Sequence, residues 1–498
     1  LDYTEISPEN FFKTETDLKL AVNSLYYDFN PGDFKAVYSA DYMGYQVIGD
    51  MTTDVLWCCW AWESDELYFQ QWYATVGGSI QNHAYSNFER YNFLSKARNT
   101  IRRIENSPVS EDAKALYSGE AKALRGWMGL YLYDMFGPVP VASDEVLDDP
   151  QTFVYLPRLT EEEYDAMMEA DLRDAIRDLP EVAEARGRMT KGAARMILLK
   201  YYMIKGYFDK AEILARELLE MEGRVYSLQP DYNYIFSKEG IGNNEVILQL
   251  ACNNTASWYS NYMTAEVLPA DYPWAEKATG WGGYVMPWDF YGTFEEGEES
   301  PLRNNGGNGS PLFSAMSYWM VGGCGVWVTP DTHDPWVQCM PTIAFLNMFD
   351  EDIDQRYDAT FRTAWYVNST TDNYTKEYGQ QYGAPNGLAI GDTAFVTLKY
   401  AVTDAYRASK QYKIFDRNDV YDADGKTIGT RDYFVSTYKF EDNTKPTGWE
   451  YESKRDAFVL RIGEMYLLLA EAELMNNNPS EAVKYINILR QKRAVPGK

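Results

Sequence analysis

Two pairs of closely spaced aspartates, Asp50 with Asp54 and Asp331 with Asp334, are the residues whose type best suits acid–base chemistry. A glycoside hydrolase needs two carboxyl groups at a defined separation, one of them with a raised pKa. Spacing along a loop sets no such separation, so hydrolysis is the weakest of the readings considered. Other catalytic patterns are missing from the sequence. It holds no GxSxG elbow, no HExxH, no Walker loop and no GxGxxG after a strand, and the GGCG around Cys324 lacks the fingerprint spacing. There are two histidines, His83 and His333, and five cysteines, Cys58, Cys59, Cys252, Cys324 and Cys339, with no CxxC pair. A zinc ribbon, a redox motif and a His-rich metal site are therefore unsupported. Asp422, Asp424 and Gly425 look like part of a calcium loop, but Val420 and Arg431 occupy its first and twelfth positions, which rejects an EF-hand. No cofactor is expected; a lone structural calcium held by loop acids is the one ion left open.

Recognition without catalysis fits better. Aromatic residues make up 15% of the 498-residue chain, with 41 Tyr and 14 Trp. These side chains give broad, rigid contact with a polar handle. An indole or phenol plane covers the C–H face of a sugar ring, and Asn, Gln, Asp and Arg bind its hydroxyls. The net charge of -28 repels nucleic acid and anionic lipid. Arg98, Arg102 and Arg103 lie on a helix among acids and read as a solvated face. No run of eighteen uncharged apolar residues exists to span a bilayer.

The elements that must position these aromatics centre on residues 111–140, EDAKALYSGEAKALRGWMGLYLYDMFGPVP. Ala113, Leu116, Tyr117, Ala121, Leu124, Trp127, Met128, Tyr131, Leu132 and Met135 recur at three- and four-residue steps, the period of a helix. Arg125 is placed to tie neighbouring elements together, and Gly137, Pro138 and Pro140 stop the helix. Further helices are expected over 14–29, with Thr14 or Thr16 as cap, over 82–105, and over 160–179, where Thr160 and Glu163 form a capping box. Residues 190–222 read as two helices about a turn at Gly206, and residues 458–474 with 482–489 as a second such hairpin. Both resemble a tetratricopeptide repeat loosely.

Together these imply a mostly α fold: a tetratricopeptide-like hairpin scaffold at 14–30, 82–135, 160–222 and 456–493, one unit over 1–498. Residues 35–78 and 226–455 form its loop-rich, aromatic-rich part, the second a large irregular insertion carrying short strands at 245–250, 395–400 and 432–440. Aromatics on such loops, among glycines that let backbone approach closely, are candidate ligand platforms.

Three stretches in order resemble the SusD/RagB family of outer-membrane nutrient-binding lipoproteins: FFKTETDLKLAVNSLY at 11–26, AKALRGWMGLYLYDMFGPVP at 121–140, and FVLRIGEMYLLLAEAELMNN at 458–477 with AVKYINILRQKRA at 482–494. The middle stretch carries the family's alanine-arginine aromatic helix and Phe-Gly-x-x-Pro turn at Ala123, Arg125, Trp127, Phe136, Gly137 and Pro140. The resemblance implies a surface-exposed lipoprotein of the outer membrane in Bacteroidetes, held by a lipid anchor removed from before Leu1. It also implies a charged continuation with an Arg-Trp-x-Asp-Leu-like motif beyond Lys498. The partners it implies are a glycan ligand and a TonB-dependent, SusC-like transporter that the protein caps. By family position, the ligand walls are the aromatic segment before Asn82 and the loops at 281–336. Trp72, Trp281, Trp288, Trp319 and Trp327 are the leading candidates, with Asn82 and Arg303 as polar ones. A peptide- or protein-binding subunit of an import complex is the competing reading.

Overall fold

Local sequence starts and stops the helices as the capping chemistry dictates. The computed structural model describes residues 11–29, 54–58, 88–149, 155–237, 239–250, 339–366, 393–424, 435–437, 439 and 456–498. Helix α1, Glu15–Tyr27, begins at Thr14, whose Oγ1 accepts from Asp17 N at 3.2 Å while Asp17 Oδ2 accepts from Thr14 N at 2.8 Å. Helices α2, Tyr91–Glu105, and α3, Glu111–Phe136, follow. Helix α4, Glu161–Asp178, starts on a reciprocal Thr160–Glu163 capping box. Helix α5, Lys191–Lys205, ends on Gly206, which takes the left-handed conformation at φ 74°, and α6, Phe208–Leu219, runs back along it. Helices α7, Ile462–Met475, and α8, Pro479–Arg493, form the second hairpin.

The 26-residue α3 is buried on nearly every side between Tyr117 and Leu132, and the charges within that span are paired: Glu120 with Arg188, Lys122 with Asp174 and Arg125 with Asp171. It packs on α1, α2, α4 and α5. Arg125 does tie elements together: its guanidinium grips the Asp171 carboxylate of α4 through two nitrogens, both side chains nearly excluded from solvent. At the end of α3, Arg158 Nη1 donates to the Phe136 and Pro138 carbonyls at 2.7 Å each, satisfying the last oxygen of the helix and one in the turn beyond it.

Successive helices pack side by side from α2 to α8, and α6 lies directly against α7 although residues 220–461 separate them in sequence. Polar contacts sew that seam. Arg216 pairs with buried Glu473 and donates to Tyr485 Oη at 3.0 Å, and Asn476 Nδ2 donates to Glu212 at 2.9 Å; one helix back, Lys200 of α5 reaches Glu464 of α7 at 2.5 Å. One apolar core runs through all eight helices.

The chain between α6 and α7 contributes short strands, paired mostly over long range. Strand β1, Leu56–Cys58, lies antiparallel to β3, Cys339–Pro341, with Cys58 in register with Cys339. Strand β2, Val246–Leu250, lies antiparallel to β9, Ala457–Arg461. Strands β4, Phe361–Arg362, and β8, Ser436–Thr437, form another antiparallel pair. In the remaining sheet β6, Thr393–Thr397, sits between antiparallel β5, Ala364–Tyr366, and parallel β7, Lys413–Phe415.

Two expectations are corrected. Residues 458–461 are strand, not the start of the last hairpin's first helix; an apolar run cannot declare its own period, and pairing with β2 decides it. Arg98 and Arg102 are not a merely solvated face. Arg98 donates to Asp144 Oδ1 at 2.9 Å and to the Ala142 carbonyl at 3.1 Å, and Arg102 pairs with Asp148 at 2.8 Å. They clamp the acidic turn of helix at Asp144–Asp148 onto α2.

Candidate functional site

The sequence-nominated ligand residues Trp72, Trp281, Trp288, Trp319, Trp327, Asn82 and Arg303 all lie outside the described residues. So do Asp50, Asp331 and Asp334, and of the nominated acids only Asp54, Asp422 and Asp424 are described. What the structure does show is which polar groups the helical array and the short strands gather among the described residues.

The first gathering lies where the strands meet the last hairpin. Glu245, just before β2, is completely buried. Its Oε1 accepts from Arg461 Nη1 at 2.9 Å and from Arg493 Nη2 at 2.5 Å, and its Oε2 accepts from Gln229 N at 2.9 Å. Arg493 also donates to the Gln229 carbonyl at 2.9 Å and lies 4.9 Å over the Tyr232 ring. Lys439 Nζ reaches Tyr232 Oη at 3.3 Å. Burial pushes the Tyr232 phenol up, but the charges of Lys439, Arg461 and Arg493 outweigh it and lower the pKa to about 8. Beside this cluster the Gln355 amide donates to the carbonyls of Pro230, Lys492 and Ala494 and accepts from Tyr232 N at 2.7 Å. The gathering is an architectural knot that fixes β2, β9 and the end of α8 together.

The second gathering is open to solvent. A cleft of about 240 Å³ lies between the α4–α5 connection, the turn at Val225 and Tyr226, and the stretch from Gly242 to Gln249. Gln249 is 6% exposed and its Oε1 has no hydrogen-bond partner. Arg186, half exposed, pairs with buried Asp456. Gly242, at φ 77°, leaves room for the Arg186 stem, whose Cδ lies 3.8 Å from where a Cβ would stand. Asn243 is rigid: its Nδ2 donates to the Ile235 and Gly240 carbonyls and its Oδ1 accepts from Glu245 N. Sequence reading missed Arg186 and Gln249, because the only local signal was one polar residue within an apolar strand.

Among the described residues no group of three or more His, Cys, Asp or Glu is placed to hold a metal ion, and no helix is long and apolar enough to cross a membrane.

Comparison with known proteins adds the wider setting. The model of the SusD family matches residues 244–498. A SusD-like protein of Bacteroides ovatus is 26% identical over a 254-residue alignment that covers 47% of this chain and 43% of that protein; the match thus spans less than half of that relative. A SusD superfamily protein from Bacteroides vulgatus aligns at a TM-score of 0.58 and 17% identity, covering 98% of this chain and 81% of that one. Surface glycan-binding protein A from Bacteroides fluxus aligns at 0.57 and 14% identity, over 97% and 83% of the two chains. Surface glycan-binding protein A from Bacteroides thetaiotaomicron, solved in complex with laminarihexaose, aligns at 0.54 and 16% identity, over 97% and 84%. These likenesses extend the shared fold over nearly the whole of this chain.

Proposed function

Because the chain belongs to the SusD family, we propose that it binds a glycan through loop-borne aromatic side chains and hands it to a TonB-dependent, SusC-like transporter of the outer membrane. The observation that carries this reading is fold-level agreement across 97% of the chain with a glycan-binding protein solved on laminarihexaose. The composition agrees: 41 Tyr and 14 Trp supply ring-stacking planes, and no catalytic motif accompanies them. On this reading the protein works at the cell surface on a lipid anchor, performs no covalent chemistry and needs no cofactor. The helical array is the rigid part; the chain between α6 and α7 and the segment before α2 carry the ligand contacts.

Native gel electrophoresis through soluble polysaccharides tests it. Retardation by one glycan class, reduced in Trp72→Ala and Trp319→Ala, is expected. Unchanged mobility in plant, host and microbial polysaccharides overturns glycan binding. Co-purification of a β-barrel transporter from outer membranes of the source bacterium tests the delivery step separately.

A further inference from the structure

We propose that the outer face of the last helical hairpin, α7 with α8, is an interaction surface that takes a second copy of this chain, related by a two-fold axis, in a weak dimer. The inference does not rest on the glycan reading.

Two stripes of side chains make the face. Leu467, Glu471 and Leu474 recur at four- and three-residue steps on α7, and Val483, Ile486 and Arg490 at three- and four-residue steps on α8, so each set lines one side of its helix. Both stripes turn away from Glu473 and Tyr485, the residues that Arg216 of α6 holds on the inner side. Leu467, Leu474, Met475, Val483 and Ile486 are between 39% and 56% exposed. The end of a repeat array ordinarily carries a polar outer face. An apolar patch rimmed by polar residues at that end marks a surface that something covers.

Charge says what covers it. Glu471 and Arg490 are both exposed, and among the described residues neither has an ion-pair partner, whereas Lys484 beside them already pairs with Glu481 at 3.0 Å. The Tyr466 and Tyr485 rings lie 6.4 Å apart, and a Cβ on Gly463 would stand 3.8 Å from Leu489 Cδ1. These contacts level the two antiparallel helices so that Leu467 adjoins Ile486. Glu471 then lies about one turn toward the hairpin's bend, and Arg490 about one turn the other way. The face is self-complementary, with an apolar centre between opposite charges. A two-fold axis lying in the face midway between Glu471 and Arg490 sets Glu471 of each copy against Arg490 of the other, with the two Leu467–Ile486 centres in contact. An anionic lipid surface would meet Glu471 and a chain of net charge -28, which it repels.

Size sets the strength. Helices of 14 and 15 residues are ~21–23 Å long and pack ~8–10 Å apart, so their shared face is about 20 Å on a side. That is small beside the ~800 Å² per partner of a standard interface, so a dissociation constant of ~10–100 µM is expected.

Sedimentation velocity on the full chain, from ~1 to ~300 µM in ~0.15 M salt to screen the repulsion between two acidic copies, tests it. A concentration-dependent shift from monomer to dimer is expected, at least tenfold weaker in Leu467→Glu and in Ile486→Glu, with circular dichroism confirming that each variant is folded. Glu471→Lys and Arg490→Glu should each weaken the dimer severalfold, because each sets like charges together, and the double variant should restore it. A merely damaged surface would give no such rescue. A monomer at every concentration overturns the proposal and leaves the face to another occupant, such as an amphipathic helix of a different protein. A dimer indifferent to Leu467→Glu and Ile486→Glu overturns it by placing the contact elsewhere. So does a dimer that the double charge reversal fails to restore. Polysaccharide retardation in gels reads glycan binding independently, so the two claims fail separately.

Discussion

Arg493, the last residue of α8, donates to the carboxylate of Glu245 at 2.5 Å across 248 residues of sequence, with both side chains out of reach of water. Arg461 adds a second guanidinium to the same oxygen. Gly463 makes room: a Cβ there would stand 3.1 Å from Glu245 Oε1 and 3.3 Å from Arg493 Nη2. One carboxylate thereby joins β2, β9 and the final hairpin.

Removing that carboxylate strands the buried Arg493 guanidinium and takes the partner of the partly exposed Arg461 as well. Glu245→Leu should cost about 3–5 kcal/mol, the range for breaking a buried pair from one side. The exposed Lys19–Glu184 pair, at 2.8 Å but 44% and 63% exposed, is the contrast, and Glu184→Ala should change stability by less than ~1 kcal/mol. Denaturant titration of both variants measures this; equal small losses would contradict the picture of the junction.

Tyr232 carries a pH signature. Its folded pKa is lowered to about 8 against ~10 for an unfolded tyrosine. The folded phenol gives up its proton first, so its ionisation contributes stability that is complete above pH ~10 and vanishes as pH falls through about 8. The stability gap between the parent and Tyr232→Phe should therefore widen as pH rises from about 8 to ~10. Near-ultraviolet titration should show one tyrosinate forming near pH 8 in the parent and none there in the variant.

Helix propensity and packing oppose each other at Gly126. Replacing a mid-helix glycine by alanine gains about 1 kcal/mol in an isolated helix. Here the new methyl would stand 2.6 Å from Leu172 Cδ2 and 2.7 Å from its Cγ, in the crossing of α3 with α4. Overpacking of ~1–3 kcal/mol or more should win, so Gly126→Ala is expected to lower the melting temperature. Gly137→Ala tests a different mechanism: it meets nothing within 4 Å but needs φ 68° with ψ -159°, and should destabilise by ~1–3 kcal/mol through backbone strain alone.

What the sequence disclosed follows the range of the forces involved. The Thr160–Glu163 box closes within three residues and Gly206 sets its turn alone, so that start and that stop were readable; at α1 the sequence left Thr14 or Thr16 open, and the Thr14–Asp17 box decides for Thr14. The period of α3 was readable too, because large apolar residues recur at three- and four-residue steps along its 26 residues. Residues 458–461 were misread because their strand identity depends on β2 more than two hundred residues earlier. Glu245, Gln249 and Gln355 gave no sign of their roles: each is an ordinary polar residue until distant backbone surrounds it. The aromatic candidates are the converse case. Their residue type points to ring stacking, but their positions lie outside the described residues, and only ligand binding can test them.

Calorimetric titration of the purified chain with a panel of soluble oligosaccharides and polysaccharides, beside Trp72→Ala and Trp319→Ala, tests the central claim most directly. The account predicts saturable heat for one glycan class, lost in a variant that remains folded. Silence across all glycans, with saturable heat for peptides instead, would contradict it and assign the chain to peptide capture.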